Sequence, residues 1–200
     1  MQHLPALLAA LMFLLSGAQF ARAQAPASAA APKAKGPTTI DAQSIEGVSD
    51  LEVTARGRVE FQREDLTVYS EFLRFNQEFG RIEADGGVRL LRGADRFFGP
   101  RLRYNTRDDT GVFEGSNFIL QGETTTMRGT AERLEFLGKD LFRLVKGSFT
   151  SCEPGKEDWR FEAGELEIDN ERQVATLRGG RFRHGLSRRG PSEGTCRPRS

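Results

Sequence analysis

The sequence predicts an all-β domain, folded as an antiparallel β-jelly roll of two facing sheets. Three observations predict this class: apolar side chains that alternate with polar ones, turn-forming residues between the apolar runs, and a repeat of about 30 residues. A long β-solenoid is the alternative architecture, but the regular hairpin spacing favours two antiparallel sheets packed face to face. With 200 residues, the chain has room for one domain of ordinary size.

The first 39 residues are predicted to lie outside this domain. The apolar run of residues 4–16 is too short to span a bilayer, and it is followed by the small-x-small pattern of Ala21-Arg22-Ala23. We therefore expect residues 1–23 to form a secretory signal peptide, with an uncleaved anchor as the less favoured alternative. Residues 24–39 are rich in Ala, Pro, Lys and Gly and carry no large apolar side chain, so we expect a flexible linker.

The domain, predicted over residues 40–185, contains two recurring sequence elements. The first is a glycine or serine followed two residues later by an apolar side chain, at intervals of 29 to 33 residues. Its copies are Gly57-Arg58-Val59, Gly86-Gly87-Val88, Ser116-Asn117-Phe118, Gly147-Ser148-Phe149 and Gly180-Arg181-Phe182. The second is a leucine followed two residues later by another apolar side chain. Its copies are Leu73-Arg74-Phe75, Leu102-Arg103-Tyr104, Leu134-Glu135-Phe136 and Leu166-Glu167-Ile168, with a degenerate copy at Ile45-Glu46-Gly47.

Apolar residues within each repeat recur at every second position, as in Val59/Phe61 and Val88/Leu90. This alternation is typical of a strand with one buried face, whereas a helix needs apolar residues at i+3 and i+4. Turn-forming residues separate the runs, for example over residues 105–111. The sequence thus predicts about ten strands, two per repeat, joined by hairpins and without a helix. Each repeat is too small to bury its own apolar face, so the repeats must pack against one another.

Composition and motifs disfavour a nucleic-acid-binding protein, a metalloprotein and an enzyme. A formal net charge of +1 lacks the excess of Lys and Arg that phosphate recognition in nucleic acids requires. The chain has two histidines, of which His3 lies in the predicted signal peptide, and these cannot build a zinc site. Asp109-Thr110-Gly111 has the residue types of an aspartic-protease triplet, but it lies in a predicted polar turn, where these types are common. No cofactor is expected.

The candidate functional surface is the apolar face that the two sheets share. Tyr and Trp together number three against 15 Phe, so this face carries few hydroxyl groups and suits hydrocarbon ligands. The candidate residues are Val59, Phe61, Leu73, Phe75, Val88, Leu90, Leu102, Tyr104, Phe118, Leu120, Leu134, Phe136, Phe149 and Phe161. From the residues alone, a closed hydrophobic core is the default interpretation of these positions, and an accessible groove is the alternative.

Three stretches of the domain carry a family resemblance. They are Phe149-Thr150-Ser151-Cys152-Glu153-Pro154-Gly155, Trp159-Arg160-Phe161 and Glu165-Leu166-Glu167-Ile168-Asp169. Together with the repeated elements, they are similar to the OstA-like periplasmic domain of the lipopolysaccharide-transport proteins, and in particular to its outer-membrane assembly members. The resemblance covers residues 40–183, which is nearly all of the predicted domain.

The resemblance implies a half-open β-jelly roll that transports lipopolysaccharide, and it favours an accessible groove over a closed core. The acyl chains of lipid A would then bind the candidate residues above. The implied partners are lipopolysaccharide, a periplasmic bridge protein of the LptA type that pairs with an edge strand, an outer-membrane β-barrel, and the plug lipoprotein of that barrel. The implied location is the periplasm, at the periplasmic face of the outer membrane. We expect the edge that receives the bridge protein near residues 45–61.

Cys152 matches a family cysteine that forms a disulfide bond with a cysteine of the barrel. The 200 residues include no such barrel, so a bond to Cys196 is the remaining alternative within this chain. Residues 186–200 show no alternation and are rich in Arg, Pro, Gly and Ser. The chain contains 24 Arg against five Lys, as expected for a GC-rich gene. In such a gene, a tail of this composition indicates a frameshift or a truncation.

Three classes of function stay open at this point. The first is a lipopolysaccharide-transport module of the outer-membrane assembly type. The second is a standalone periplasmic carrier of the LptA or LptC kind, in which Cys152 would have no role. The third is a structural β-repeat protein with a closed core.

Overall fold

The computed structural model describes residues 36–48, 51–122, 125–172 and 174–184. These residues form eleven strands and no helix, which confirms the predicted all-β class. The strands are β1 (Thr38–Asp41), β2 (Ser44–Val48), β3 (Glu52–Arg63), β4 (Leu66–Asn76), β5 (Arg81–Arg92), β6 (Asp95–Asn105), β7 (Thr110–Gln121), β8 (Thr126–Leu137), β9 (Leu141–Thr150), β10 (Trp159–Asp169) and β11 (Val174–His184). No helix in these ranges could cross a membrane.

Three of the sequence predictions concern residues at or beyond the ends of the described ranges. The predicted signal peptide and the tail of residues 186–200 lie outside the described residues. Most of the predicted linker does so too, and β1 begins at Thr38, two residues before the predicted start of the domain.

The strands form one antiparallel sheet in which successive strands are neighbours from β3 to β11. β1 pairs with the second half of β3, and β2 pairs with its first half. Together, β1 and β2 therefore act as one interrupted edge strand. The opposite edge is β11, and no described strand pairs one edge with the other, so the sheet is not closed.

The sheet is folded over on itself. Phe75 lies opposite Val53 in the ladder of β3 and β4, and Phe61 follows Val53 by eight residues on β3. In a flat sheet, Phe61 and Phe75 would be roughly 26 Å apart, at about 3.3 Å per residue. Their ring centroids are 5.0 Å apart. Phe97 and Phe136 meet in the same way, at 5.1 Å. These contacts require a bend in the middle of each long strand.

The bends divide the sheet into two layers that face each other. Layer 1 contains β1 and residues 59–70, 88–99, 116–131, 147–163 and 180–184. Layer 2 contains β2 and residues 52–56, 72–85, 101–114, 133–145 and 165–178. The chain alternates between the layers and forms one hairpin in each per repeat. The predicted facing sheets are thus the two halves of one continuous sheet.

The bends explain why the sequence repeats. The backbone adopts positive φ angles at or directly before each glycine or serine of the first recurring element. The bend residues are Gly57 (75°), Gly86 (84°), Gly115 (57°), Lys146 (48°) and Gly179 (61°). Glycine reaches this left-handed region without the steric cost that other residues incur. The repeat length is therefore the length of chain that forms one hairpin in each layer and returns to the next bend.

A single hydrophobic core lies between the two layers. Apolar side chains from both layers form it, and its largest fully buried members are Phe61, Phe97, Phe113, Phe118, Phe136 and Phe142. The outward-facing side chains are mostly polar, and Arg143 for example pairs with Glu135 (3.5 Å) and Glu167 (2.8 Å). Solvent-exposed pairs of this kind contribute little stability each, so burial of the inward-facing side chains stabilises the fold.

The bend at Gly86 is tested by substitution with alanine. An alanine here keeps a φ of +84°, and its Cβ would lie 2.9 Å from Cβ of Glu71. We expect Gly86→Ala to lower the free energy of unfolding by about 3 kcal/mol, from left-handed strain together with overpacking. Urea unfolding monitored by circular dichroism measures the loss.

Gly93→Ala is the matched control for this substitution. Gly93 has a φ of +56°, but a Cβ there would meet no atom within 4 Å. The control should lose only the strain contribution, roughly 1 kcal/mol. Equal losses in the two variants would show that the bend is not closely packed.

Candidate functional site

The fourteen apolar residues of the candidate surface all lie between the two layers. Layer 1 contributes Val59, Phe61, Val88, Leu90, Phe118, Leu120, Phe149 and Phe161, and layer 2 contributes Leu73, Phe75, Leu102, Tyr104, Leu134 and Phe136. Twelve of them are at most 7% exposed, whereas Phe149 and Phe161 are half-buried. We call the inward-facing surface of both layers the inner face.

In the middle of the sandwich the two layers are in direct contact. The rings of Phe97 and Tyr104 both meet the ring of Phe136 edge-on, at 5.1 and 5.4 Å. This geometry is typical of a packed aromatic core. The groove implied by the family resemblance is therefore not open in this part of the structure, and a ligand reaches these side chains only when the layers separate.

The inner face becomes accessible at the β11 end of the sandwich. Phe149, Phe161 and Phe182 lie side by side on neighbouring strands, with ring centroids 5.2 and 4.8 Å apart. Phe182 is 47% exposed because no described strand lies beyond β11. The row of three rings extends the core as an apolar surface that contacts solvent.

The inner face is also accessible at the opposite end, beside β2. Ile45 lies opposite Ala55 on β3 and thus belongs to the inner face, but it is 51% exposed. Val48 and Leu51 are exposed next to it. The outer edges of β1 and β2 also leave backbone N–H and C=O groups without a partner strand among the described residues, which is the geometry that strand addition requires.

On the side opposite the bends, the hairpin turns of the two layers face each other. Here Arg63 of layer 1 donates from Nη1 to Oγ1 of Thr106 in layer 2, at 3.1 Å. The Thr106 hydroxyl in turn donates to the carbonyl oxygen of Gly80, at 3.1 Å. On this side, side chains make the described contacts between the layers. No described backbone hydrogen bond outside the strands joins the layers here.

A second arginine joins the layers beside the first. The guanidinium of Arg92 in layer 1 lies 6.0 Å from the ring of Phe97 and 5.0 Å from the ring of Phe136. Its positive charge also favours ionisation of the nearby Tyr104 phenol in layer 2. We call Arg63, Arg92, Tyr104 and Thr106 the arginine seam.

The surroundings of Tyr104 keep its phenol protonated. Burial is the main cause that raises the pKa of this phenol, and the negative charge of Asp109 raises it further. The Tyr104 hydroxyl donates to Oδ1 of Asp109 at 3.1 Å, while Arg92 acts in the opposite direction on the pKa. Tyr104 is therefore a neutral hydrogen-bonding group at physiological pH.

Of the seam residues, Tyr104 was among the candidates predicted from the sequence, whereas Arg63, Arg92 and Thr106 were not, although a signal for the two arginines was present. Arg63 follows Phe61 by two residues, and Arg92 follows Leu90 by two residues. The strand alternation alone thus places both arginines on the inner face. An arginine at a position where apolar residues recur is the feature that marks them.

Cys152 lies in the loop between β9 and β10 and is fully buried. Its backbone N–H donates to Oγ1 of Thr150 (3.1 Å), and the Thr150 hydroxyl donates to the carbonyl oxygen of Trp159 (2.7 Å). Cys152 is disulfide-bonded. Cys196, the alternative partner considered above, lies outside the described residues.

Outside the seam, the described part of the chain has a small cavity but no metal-binding cluster. No group of three His, Cys, Asp or Glu residues there could hold a metal ion. A cavity of about 240 Å³ is lined mostly by polar residues, among them Arg128, Glu157 and Arg160. Arg160 pairs with Glu157 at 3.3 Å. Phe118 and Phe149 of the inner face also line this cavity, so its lining mixes polar and apolar surface.

Comparison with known proteins identifies relatives of the chain, although no family model matches it. The LPS-assembly protein LptD of Ralstonia nicotianae is 32% identical over 144 residues, which are 72% of this chain and 18% of that protein. LptD of Aromatoleum aromaticum is 30% identical over 170 residues, which cover 78% and 22% of the two chains. This chain is a homologue of the LptD proteins. LptD of Nitrosomonas eutropha, at 32% identity over 71% of the chain and 19% of the relative, agrees.

The homology to LptD confirms the resemblance found in the sequence. The chain spans about a fifth of the length of the curated LptD proteins it matches. Among solved structures, LptH of Pseudomonas aeruginosa, described as the LptA-homologous periplasmic component of the lipopolysaccharide transport device, aligns with a TM-score of 0.31. Its identity is 11%, and the alignment covers 82% of this chain and 90% of that chain.

A half-buried carboxylate next to the seam makes stability depend on pH. Asp95 lies opposite Arg92 in the ladder. Burial raises the pKa of its carboxyl group. The hydrogen bond from the Gln121 N–H (2.9 Å) and the positive charge of Arg92 lower this pKa, but by less than burial raises it. The folded state therefore holds this proton more tightly than the unfolded state. The resulting stability is fully present below the ordinary pKa of 3.8 and is lost as the pH rises through the folded-state value.

Asp95→Asn keeps an acceptor for the Gln121 N–H and removes the ionisation. We expect the stability of the wild type relative to Asp95→Asn to fall as the pH rises from 3 to 7, because only the wild type loses the proton. Urea unfolding at several pH values measures this difference, with Asp140→Asn as an exposed control. A difference that is constant across the range would contradict the proposed burial effect.

Proposed function

We propose that this chain is a lipopolysaccharide-transport module that holds acyl chains of lipid A between its two layers and performs no enzymatic chemistry. The observation that carries the proposal is the inner face, which runs as apolar rows from the β2 end to the β11 end in a homologue of LptD. At both ends its side chains contact solvent, so a hydrocarbon chain can enter or leave there without crossing a polar layer.

The energy of acyl transfer supports a passive role of this kind. Burial of one CH₂ group contributes about 0.8 kcal/mol, so an acyl chain of about a dozen carbons would cost on the order of 10 kcal/mol to expose to water. An apolar face removes most of that cost. Separation of the layers exposes their own apolar side chains, but the incoming tails cover the same surface. The exchange therefore needs no external chemistry at the protein.

The way the layers are connected supports opening on the hairpin side. At the bends, the backbone of every long strand continues from one layer into the other. On the opposite side, side chains such as Arg63 and Thr106 make the described contacts between the layers. We infer that the bends act as a hinge and that the hairpin side opens for the lipid.

The two edges of the sheet are the proposed partner sites. The edge of β1 and β2 would receive a bridge protein of the LptA type by strand addition, close to the exposed Ile45. The β11 edge, with the exposed Phe182, would pass the lipid to an outer-membrane β-barrel and its plug lipoprotein. The proposed location is accordingly the periplasm, at the outer membrane, after export by a signal peptide.

A structural β-repeat protein with a closed core is the second candidate. The specific observation in its favour is the packed centre, where Phe61, Leu73 and Phe97 have no exposed surface. It differs from the first candidate in that its layers never separate. A standalone carrier of the LptA or LptC kind would use the same inner face as the transport module.

Photocrosslinking separates the transport module from the closed core. We expect benzoylphenylalanine at Phe75, Phe118 or Phe136 to form adducts with lipopolysaccharide in cells, because these positions face the space between the layers. The matched controls are the neighbouring positions Arg74, Asn117 and Glu135, which the strand alternation places on the outer faces. Immunoblots with antibody to lipopolysaccharide detect the adducts. Absence of adducts at all three inner positions would favour the closed core.

Proline substitution tests the receiving edge. Successive N–H groups of a strand point to opposite sides, so one of Ile45→Pro and Glu46→Pro removes an N–H that would donate to an added strand. We expect that variant to weaken binding to an LptA-type protein by about tenfold, or 1.4 kcal/mol. Biolayer interferometry measures the affinity, and Thr176→Pro in β11 is the control at the other edge. Unchanged binding by both β2 variants would place the receiving edge elsewhere.

A further inference from the structure

Two arginines lie on the inner face where the strand alternation would place apolar residues. Arg63 ends β3 two residues after Phe61, and Arg92 ends β5 two residues after Leu90. Both arginines are partly buried. Burial of a guanidinium is unfavourable unless acceptors satisfy its N–H groups. The hydrogen-bond partners of these two side chains therefore bear on their function.

Each of the two arginines has a buried N–H group without an acceptor. Nε of Arg63 and Nη1 of Arg92 make no hydrogen bond to any described residue. Across the described ranges, none of the ion pairs within 4.0 Å involves either guanidinium. Arg143 also has an Nε without a hydrogen bond, but it differs in its ion pairs, because Glu135, Glu165 and Glu167 all pair with it.

The neighbouring carboxylates of the seam have other hydrogen bonds. Asp95 stands opposite Arg92 in the ladder, but its Oδ1 accepts from the Gln121 N–H at 2.9 Å. Asp109 accepts from the Tyr104 hydroxyl at 3.1 Å. The seam therefore presents two cationic groups with spare donors, of which Arg63 donates to the neutral hydroxyl of Thr106 and Arg92 lies over the ring of Phe136.

The position of the two arginines relates them to the opening between the layers. Arg63 lies opposite Leu66, and Leu66 lies opposite Arg92. The two arginines are thus two strands apart, which corresponds to about 10 Å between their backbones. Both belong to layer 1, whereas the Thr106 hydroxyl that accepts from Arg63 and the Phe136 ring next to Arg92 belong to layer 2. Separation of the layers on the hairpin side would break these two contacts and free both guanidinium groups at the rim of the apolar space.

We propose that Arg63 and Arg92 bind phosphate groups of a lipid headgroup while the tails lie between the layers. This inference rests on the proposed function and names the part of the ligand that the seam recognises. A guanidinium donates two parallel hydrogen bonds to phosphate oxygens, and phosphate supplies acceptors for the unsatisfied N–H groups of Arg63 and Arg92. Two cations spaced along the rim suit a headgroup with more than one phosphate. Tails enter the apolar space, and the charged headgroup stays at its margin.

The phosphate proposal is tested by comparing two lipids that share the same tails. The full chain is titrated with hexa-acylated lipid A that carries two phosphates, and with the same lipid after enzymatic dephosphorylation. Displacement of a fluorescent lipid A reports the affinities. We expect the wild type to favour the phosphorylated lipid at least tenfold, and Arg63→Gln/Arg92→Gln to reduce this preference to less than twofold. Inorganic phosphate at the same concentrations should not displace the probe.

Arg89→Gln is the matched control for the double variant. Arg89 lies on β5 three residues before Arg92, but it is exposed and stacks on Tyr69 at 4.7 Å. This variant should keep the full preference for the phosphorylated lipid. Because Arg92 packs on Phe97 and Phe136, the glutamine variant is paired with Arg63→Lys/Arg92→Lys. The lysine variant keeps the charge and the alkyl stem but loses the paired donors, so we expect a preference between those of the wild type and the glutamine variant.

Each of the remaining outcomes would contradict either the phosphate site or the proposed function. Equal affinity of the wild type for the two lipids would overturn the phosphate site and leave acyl binding intact. A preference retained by the glutamine and lysine variants would also overturn it, because other residues would then recognise the phosphates. Displacement by inorganic phosphate alone would indicate a free-phosphate site in place of a lipid site. Failure of the wild type to bind either lipid would overturn the proposed function itself.

Discussion

The left-handed bend in the middle of every second long strand, from β3 to β11, is the feature on which the rest of the structure depends. A flat antiparallel sheet of this length would expose its apolar side chains on one whole face. The bends at Gly57, Gly86, Gly115, Lys146 and Gly179 bring that face into contact with itself. One sheet thereby supplies both walls of its own core, and the burial of the inward-facing side chains follows from backbone geometry at a few positions.

The same bends make the sandwich asymmetric. On one side the backbone of every long strand joins the layers, whereas on the other side side-chain contacts such as those of Arg63 and Arg92 do so. A covalent connection on one side and weak, exchangeable contacts on the other are the mechanical requirements of a hinge. The apolar ends beside Ile45 and Phe182 add two places where the inner face already meets solvent. A passive lipid conduit needs no more than these features.

The strand alternation was sufficient to predict the all-β class and the inward position of the candidate residues. Side chains at i and i+2 share a face whatever the partner strand, so Val59 and Phe61 could be placed on one face without a structure. The continuity of the sheet through both layers could not be predicted, because a recurring glycine or serine does not show whether a strand ends there or bends and continues into a second layer. The packed centre was equally hidden, since alternation fixes which way a side chain points and not the distance between two layers.

The central claim is that the two layers separate to admit acyl chains. Spin labels at Arg96 in layer 1 and Arg103 in layer 2, both exposed on β6 near its two ends, report this distance by double electron–electron resonance. With lipid A bound, the account predicts a distance larger by at least ~4 Å, the contact separation that one layer of hydrocarbon requires. An unchanged distance distribution in protein that demonstrably holds lipid A would contradict it.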